Sequence, residues 1–350
     1  MEEQLRVVLL GLGRIGRRHA TIVQQHPQTE LVAVIDPAPG ATRWEGLQPE
    51  VARFTDWQSF RAANQPADVA IIATPNGLHT ELASLALQAG LHTVVEKPLG
   101  LRSEACQQLL ALARRQQREL FVVMQNRFSP QARWLKEVVA AGHLGELLDV
   151  QVNCLWNRDD RYYLPGSWRG SLELDGGVLY TQFSHFVDIL YWVFGPMAVR
   201  NARFANLTHR HNTAFEDTGW VWFDFEQGGH GAMHYSTAVW DSNLESSIRV
   251  LGTRGSLVIG GQYMNTLSSC HIEGYIPPDL PPAKPPNQYG AYTGSAANHQ
   301  FMLENVLETL LEEGQPIATA QEGLAVVQFI EDVYAYRNLP QLRQPQQLRS

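Results

Sequence analysis

Cysteine is scarce: Cys106, Cys154 and Cys270 are the only three in 350 residues, far apart and odd in number. Such a set makes no disulfide framework and no zinc-finger spacing, and it suits a reducing compartment. Clustered basic residues are lacking too, with 27 Lys and Arg against 35 Asp and Glu and a net charge of -8. Phosphate backbones are bound chiefly through grouped cations, so this balance argues against nucleic acid as a partner. No apolar run reaches the roughly eighteen residues that a membrane span requires. The opening Met1-Glu2-Glu3-Gln4 is acidic where a signal peptide is basic, and the apolar run Val7-Val8-Leu9-Leu10 stops at Gly11. These absences lead to the expectation of a cytoplasmic chain with no membrane partner. Internal repeats are missing as well.

What the sequence has is apolar material, 44% hydrophobic against 18% charged residues, enough for two cores at this length. Over the first third, short β-branched runs alternate with helical stretches, the order of parallel strands joined by crossover helices in a doubly wound α/β sheet. Strands are expected at 6–10, 30–36, 69–73, 94–95 and 121–124, and helices at 15–25, 81–89 and 103–117, the last capped by Ser103. Beyond residue 125 a helix at 130–141 precedes strand-like runs at 147–155, 220–225, 231–239 and 246–251, whose close spacing suggests antiparallel pairing. The proline-dense stretch 275–289 is expected to be a long loop, either a linker or an arm. Helices at 298–313 and 320–336 close the chain. Two domains are expected, 1–125 and 126–350, with the terminal helices free to pack back on the first.

Gly11-Leu12-Gly13-Arg14-Ile15-Gly16 follows the first strand directly and opens a helix, which is the context of a dinucleotide-binding turn. Gly11 permits the tight turn, Gly13 lets backbone approach a pyrophosphate, and Gly16 lets the helix pack closely on the sheet. The amides of Arg14 and Ile15 then face the anion at the helix N-terminus. Asp36 ends the second strand, twenty residues beyond Gly16, where a carboxylate accepts from the adenosine ribose. The same charge repels a 2′-phosphate, so NAD is expected over NADP, with Arg43 nearby as a moderating cation. A glycine turn without a ligand is the plain alternative.

Ala73-Thr74-Pro75-Asn76-Gly77-Leu78-His79 follows a buried strand at the carboxyl edge of the sheet, and Glu96-Lys97-Pro98 comes some twenty residues later. With the glycine turn, the Thr-Pro-Asn-x-x-His loop and the Glu-Lys-Pro triplet in this order, the chain resembles the Gfo/Idh/MocA (glucose-fructose oxidoreductase, inositol dehydrogenase) sugar dehydrogenases. Arg127-Phe128 and the His185-x-x-Asp188 helix extend the match over nearly the whole chain. The resemblance implies a Rossmann domain, then an α+β domain with a large, mostly antiparallel open sheet, and a carbohydrate-type substrate between that sheet and the nicotinamide. Thr74, Pro75, Asn76, His79, Glu96, Lys97 and Asn126 would border the cofactor. Lys97 would hydrogen-bond the reacting hydroxyl, with a cis peptide before Pro98; alone it would be an ordinary surface lysine.

Asp175-Gly176-Gly177 opens the segment that carries Thr181 and His185. By the resemblance His185 is the general acid/base, since imidazole titrates near neutral pH; a lone histidine on an apolar helix would otherwise be a satisfied core residue. Many relatives have an aspartate where Thr181 stands, so here Lys97 and Thr181 would orient the hydroxyl and His185 would move the proton. Asp188, one turn on, either orients His185 or pairs elsewhere. Between the motifs lies an aromatic and arginine-rich loop with Trp156, Arg158, Trp168 and Arg169, suited to stacking on a sugar and holding a carboxylate or phosphate, or else to packing on the sheet or a second subunit. Arg127 and His299 complete the expected substrate residues. His209 and His211 lie in no ligand pattern, and no catalytic metal is expected.

The function expected is reversible oxidation of a secondary hydroxyl. Two alternatives remain at this stage: a transhydrogenating or glycosidase-type cycle with retained cofactor, and a non-catalytic NAD-binding sensor. A wide open sheet also implies a homodimer or homotetramer.

Overall fold

The computed structural model describes residues 4–38, 40, 43–290 and 292–338. The acidic start at Met1 to Glu3 and the last residues of the 126–350 span lie outside them. Six strands form the first sheet: β1 (Leu5–Leu10), β2 (Thr29–Ile35), β3 (Ala52–Phe54), β4 (Val69–Ile72), β5 (His92–Val95) and β6 (Leu120–Val122). All neighbours are parallel, in the order β3-β2-β1-β4-β5-β6. The runs of Val, Leu and Ile are buried on both faces, as a parallel sheet covered by helices requires. Helices α1 (Arg14–Gln25), α2 (Trp57–Ala62), α3 (His79–Gln88) and α4 (Ser103–Gln116) are the crossovers. The order reverses between β1 and β4, which opens a crevice at the strands' carboxyl ends.

β3 and α2 were not anticipated. β3 is only three residues long, and α2 is held by Asp56, whose carboxylate accepts from the Ser59 amide at 2.8 Å. Ser103 does not cap α4. It is the first helical residue, and its amide donates to Glu331 at 2.9 Å, so a carboxylate from a distant helix does the capping.

Past α5 (Pro130–Ala140) runs a seven-stranded sheet: β7 (Leu147–Leu155), β8 (Met197–Ala205), β9 (Thr218–Phe225), β10 (His230–Ser236), β11 (Glu245–Gly252), β12 (Gly255–Gly260) and β13 (Thr266–Ile272). Its order is β13-β12-β11-β7-β10-β9-β8. Only β7 and β10 run parallel; every other neighbouring pair is antiparallel. Residues alternate across it, with Val221, Phe223 and Phe225 buried and Trp220 and Trp222 on the outer face. A π-helical turn at 179–183 leads into α6 (Ser184–Phe194), which lies on the inner face.

The proline-dense arm ends in a strand that was not expected there. β14 (Pro286–Gln288) pairs with β15 (Thr293–Ala296) as an isolated ribbon, where proline needs no partner on its free side. α7 (His299–Leu311) returns to the first sheet, where Met302, Leu303, Val306 and Leu307 share a core with Val7, Leu9 and Phe121. α8 (Ala320–Ala335) begins at a capping box between Thr319 and Glu322, a device that stabilises a helix start by about 1 kcal/mol. Among the described residues no helix is long and apolar enough to cross a membrane.

Candidate active site

The glycine turn sits at the crevice. Gly11 has φ +89°, and a Cβ there would lie 2.5 Å from the Ala73 carbonyl oxygen; one on Gly16 would strike the Gly11 carbonyl. Gly13 faces open space. That cradle fits a pyrophosphate at the start of α1, because bulk is excluded at the turn and admitted where the anion approaches. Asp36 follows β2 immediately, and its carboxylate accepts from the Leu12 amide at 2.7 Å, so the acid is fixed against the turn. Among the described residues the buried Thr74 hydroxyl and Gln125 carbonyl have no partner, and buried polar atoms without partners point to a ligand. These features together fit a dinucleotide.

Around the crevice the expected cofactor residues divide. His79 is fully buried, with Nδ1 at 2.7 Å from the Pro98 carbonyl and Nε2 at 3.0 Å from the Thr74 carbonyl. It ties the Thr74-Pro75 loop to the Lys97-Pro98 loop, where the peptide is cis, and has no face left for a cofactor. The Asn126 carbonyl oxygen accepts from Ser295 at 2.6 Å. Asn76 donates to the Asp175 carbonyl at 2.9 Å and the Thr181 hydroxyl at 2.7 Å, joining the two sheets' loops. The Glu96 carboxylate lies 2.7 Å from His19 and 3.6 Å from His299, all three buried. These two histidines hold Glu96 well below the usual carboxylate range although burial opposes them. His299 supports Glu96 through Nε2, while its Nδ1 has no partner among the described residues and the residue borders a cavity beside α1. The trio was invisible in the sequence because its members are widely separated; the one local signal is that His19 lies a turn after Gly16 on the same helix face.

Lys97, Thr181 and His185 come together from both parts of the chain. Lys97 Nζ donates to the Thr181 carbonyl at 2.5 Å. Burial pushes the Lys97 ammonium down to about 8, against the pull of Glu96 and Asp175. His185 is buried, with Nε2 3.4 Å from the Gln125 amide nitrogen and Nδ1 free of any partner among the described residues. Burial, and then the Lys97 charge, hold its imidazole well below its ordinary value, so it is neutral and able to accept a proton. The Thr181 hydroxyl accepts from Asn76 and donates to the Asp175 carboxylate. A hydroxyl has one proton, and this one is committed, so Thr181 cannot also donate to a substrate as expected.

Several other expectations are corrected. Arg127 is 0% exposed and does not reach a substrate. Its guanidinium binds Asp188 through Nε at 3.0 Å and a terminal nitrogen at 2.6 Å, and also pairs with Glu322 at 2.9 Å. Asp188 thus pairs with Arg127 and does not orient His185. Arg127→Met leaves Asp188 buried without its partner and is expected to lower stability by about 3–5 kcal/mol in urea unfolding; a loss below about 1 kcal/mol would contradict this role. Trp156 is a core residue between Phe183 and Phe186, its indole donating to Ser246 at 2.6 Å. Arg158 is buried, its donors taken by Gln182, Asn157, Asn243 and Thr293. His209 and His211 lie in the loop after β8, His209 buried against Asp217 at 3.1 Å and His211 exposed beside Asp160.

Arg169 and Trp168 are the loop residues with free capacity. The Arg169 guanidinium lies over Tyr162 at 4.6 Å and Trp168 at 4.9 Å, with Nε lacking a partner among the described residues. Tyr162 meets Tyr292 of the arm edge-on at 4.8 Å, and Arg14 lies over Tyr292 at 5.1 Å. Through the residues that follow β14, the arm thereby links the glycine turn to the loop of Tyr162 and Arg169. Beside α1 it roofs a cavity of about 740 Å³ lined by Arg14, Arg17, Arg18, Lys284, Tyr289 and His299.

Comparison with known proteins gives consecutive matches. An oxidoreductase family with an NAD-binding Rossmann fold matches residues 5–124, and the GFO/IDH/MocA C-terminal domain matches residues 132–258. The WlbA dehydrogenase from Bordetella pertussis, whose crystal structure is in complex with NADH and UDP-GlcNAcA, is similar with a TM-score of 0.86 and 30% identity, over 96% of this chain and 97% of that one. The scyllo-inositol 2-dehydrogenase (NAD(+)) of Bacillus subtilis is 26% identical over 293 residues, 80% of this chain and 82% of its own. An oxidoreductase of Synechocystis is 30% identical over 192 residues, 55% of this chain. The chain spans about half the length of several curated relatives that it matches, 52% in this last case.

Proposed function

The chain belongs to the GFO/IDH/MocA family of NAD-binding oxidoreductases, and on that premise we propose that it reversibly oxidises a secondary hydroxyl of a sugar, sugar acid or nucleotide sugar with NAD. The observation that carries the proposal is the meeting of the Lys97 ammonium with the Thr181 carbonyl, one turn before a buried, neutral His185. Lys97 hydrogen-bonds the hydroxyl oxygen and stabilises the negative charge that develops on it. His185 takes the hydroxyl proton in oxidation and returns it in reduction. The turn at Gly11, Gly13 and Gly16 would hold the pyrophosphate and Asp36 the adenosine ribose. When bound, the dinucleotide supplies the acceptor for the hydride that leaves carbon. Trp168 and Arg169 suit an acidic or nucleotide-linked sugar, and the WlbA relative, solved with UDP-GlcNAcA, supports that class. A crystal structure with NAD and such a sugar tests the arrangement: a hydroxyl on Lys97 and His185 supports it, and a sugar bound elsewhere overturns it.

The same proposal includes a cofactor domain over 1–125 and a substrate domain over 126–350, in a reducing cytoplasm suited to the free cysteines. The fixed Asp36 carboxylate disfavours a 2′-phosphate, so NAD is expected to bind at least about tenfold tighter than NADP, and Asp36→Ala to narrow the ratio. Equal affinities in calorimetry would contradict that assignment. Trp220 and Trp222, 38% and 41% exposed on the outer sheet face, support a homodimer or homotetramer. Light scattering is expected to give at least twice the chain mass; a monomer would remove the oligomer from the proposal.

A further inference from the structure

Asp175 is a carboxylate that the mechanism above leaves unused. It is 1% exposed and sits in the loop before the π-helical turn. One oxygen accepts from the Gly170 amide at 2.9 Å, and the other accepts the proton of the Thr181 hydroxyl. Asn76, from the first sheet's loop, donates to both the Asp175 carbonyl and that hydroxyl, fixing their direction. Thr181 therefore holds Asp175 through its side chain and Lys97 through its carbonyl. Resting on the functional reading above, we propose that Asp175 is a positioning residue for the reaction: its buried charge, linked through Thr181, keeps the Lys97 ammonium charged and directed at the reacting hydroxyl.

The electrostatics agree with the geometry. Burial raises the Asp175 carboxyl to about 6, and the Thr181, Gly170, Arg169 and Lys97 groups oppose that rise. Lys97 in turn is stabilised as a cation by Glu96 and Asp175 and disfavoured by burial, Arg158 and Arg169. Its charge also bears on neutral His185, and the Asp175 charge bears on Tyr162 and Tyr163. Below about 6 Asp175 gains a proton and the anion is lost; above about 8 Lys97 loses its proton and the cation is lost. The rate is therefore expected to fall on both sides, with the acid limb belonging to Asp175.

A loop cap alone would leave Lys97 unchanged, which allows a clean test. The chain has three lysines, Lys97, Lys136 and Lys284, so lysine-labelled protein gives an NMR titration that can be assigned by single replacements. In Asp175→Asn the Lys97 midpoint is expected to fall by about one unit. The turnover number is expected to drop about tenfold to a hundredfold, with KM changed less than about threefold, and the acid limb to disappear. Adding Thr181→Asp to that variant returns a carboxylate to the same group and should restore the midpoint and most of the rate. Thr181→Val, which leaves the Gly170 contact intact, serves if Asp175→Asn does not fold and should lower the midpoint in the same direction. A Lys97 midpoint unmoved in both variants would overturn the proposal. Because that titration uses the protein alone, it decides the role of Asp175 even if no sugar is oxidised, an outcome that would instead overturn the functional reading.

Discussion

Lys97→Ala is expected to lower kcat/KM by about a thousandfold while leaving NAD affinity nearly unchanged. In the proposed mechanism the ammonium faces the oxygen on which an alkoxide develops, and among the described residues its only hydrogen bond is to the Thr181 carbonyl. Its effect is greatest in the transition state, where negative charge has grown on the substrate oxygen, so the loss should fall on kcat more than on KM. The proposed cofactor contacts are at the glycine turn and Asp36 and do not involve this side chain, so calorimetry with NAD should separate the two. Lys97→Arg is not a benign replacement, because a planar guanidinium cannot occupy the path of an ammonium between Thr181 and substrate. Loss of NAD binding in parallel with activity would assign Lys97 to the cofactor site.

His185→Ala is expected to lower kcat by about a hundredfold or more, the usual contribution of a positioned acid/base. The ring is neutral because burial and the Lys97 charge disfavour the imidazolium, so it enters oxidation in the form that accepts a proton. Among the described residues Nδ1 has no partner and Nε2 has only the 3.4 Å contact with the Gln125 amide, which leaves the ring free for substrate. Stopped-flow measurement of the chemical step checks this. A variant that turns over at the wild-type rate would move the proton transfer to another group, with Asp175 as the first to examine. Retention of both groups, and the buried carboxylate behind Thr181, weigh against a silent NAD-binding sensor.

The first sheet was legible because its strands are buried on both faces and read as unbroken apolar runs, while glycines with steric reasons to be glycine mark the turn between them. Lys97 and His185 were legible only through their motifs, since a lysine and an apolar-helix histidine carry no chemistry by themselves. Arginine chemistry misled: Arg127 and Arg158 suggested anion binding, yet their carboxylate and carbonyl partners lie far away in sequence, and pairing distances are not written locally. Trp156 illustrates the same limit, because an aromatic beside a loop reads alike whether it stacks on sugar or fills a core. Asp175 stood in plain view as the entry to a glycine pair, but its contact with Thr181 depends on how the loop folds before the π-helical turn. β3, α2 and the β14–β15 ribbon are too short to carry a periodic signal.

The most direct measurement is reduction of NAD by wild-type protein, followed by nicotinamide absorbance across polyols, free sugars, glycosides, sugar acids and nucleotide sugars, with His185→Ala in parallel. Turnover of at least one of these in the wild type, and its loss in the variant, is the predicted result. No turnover across the panel by protein that demonstrably binds NAD would contradict the assignment of a freely exchanging sugar dehydrogenase.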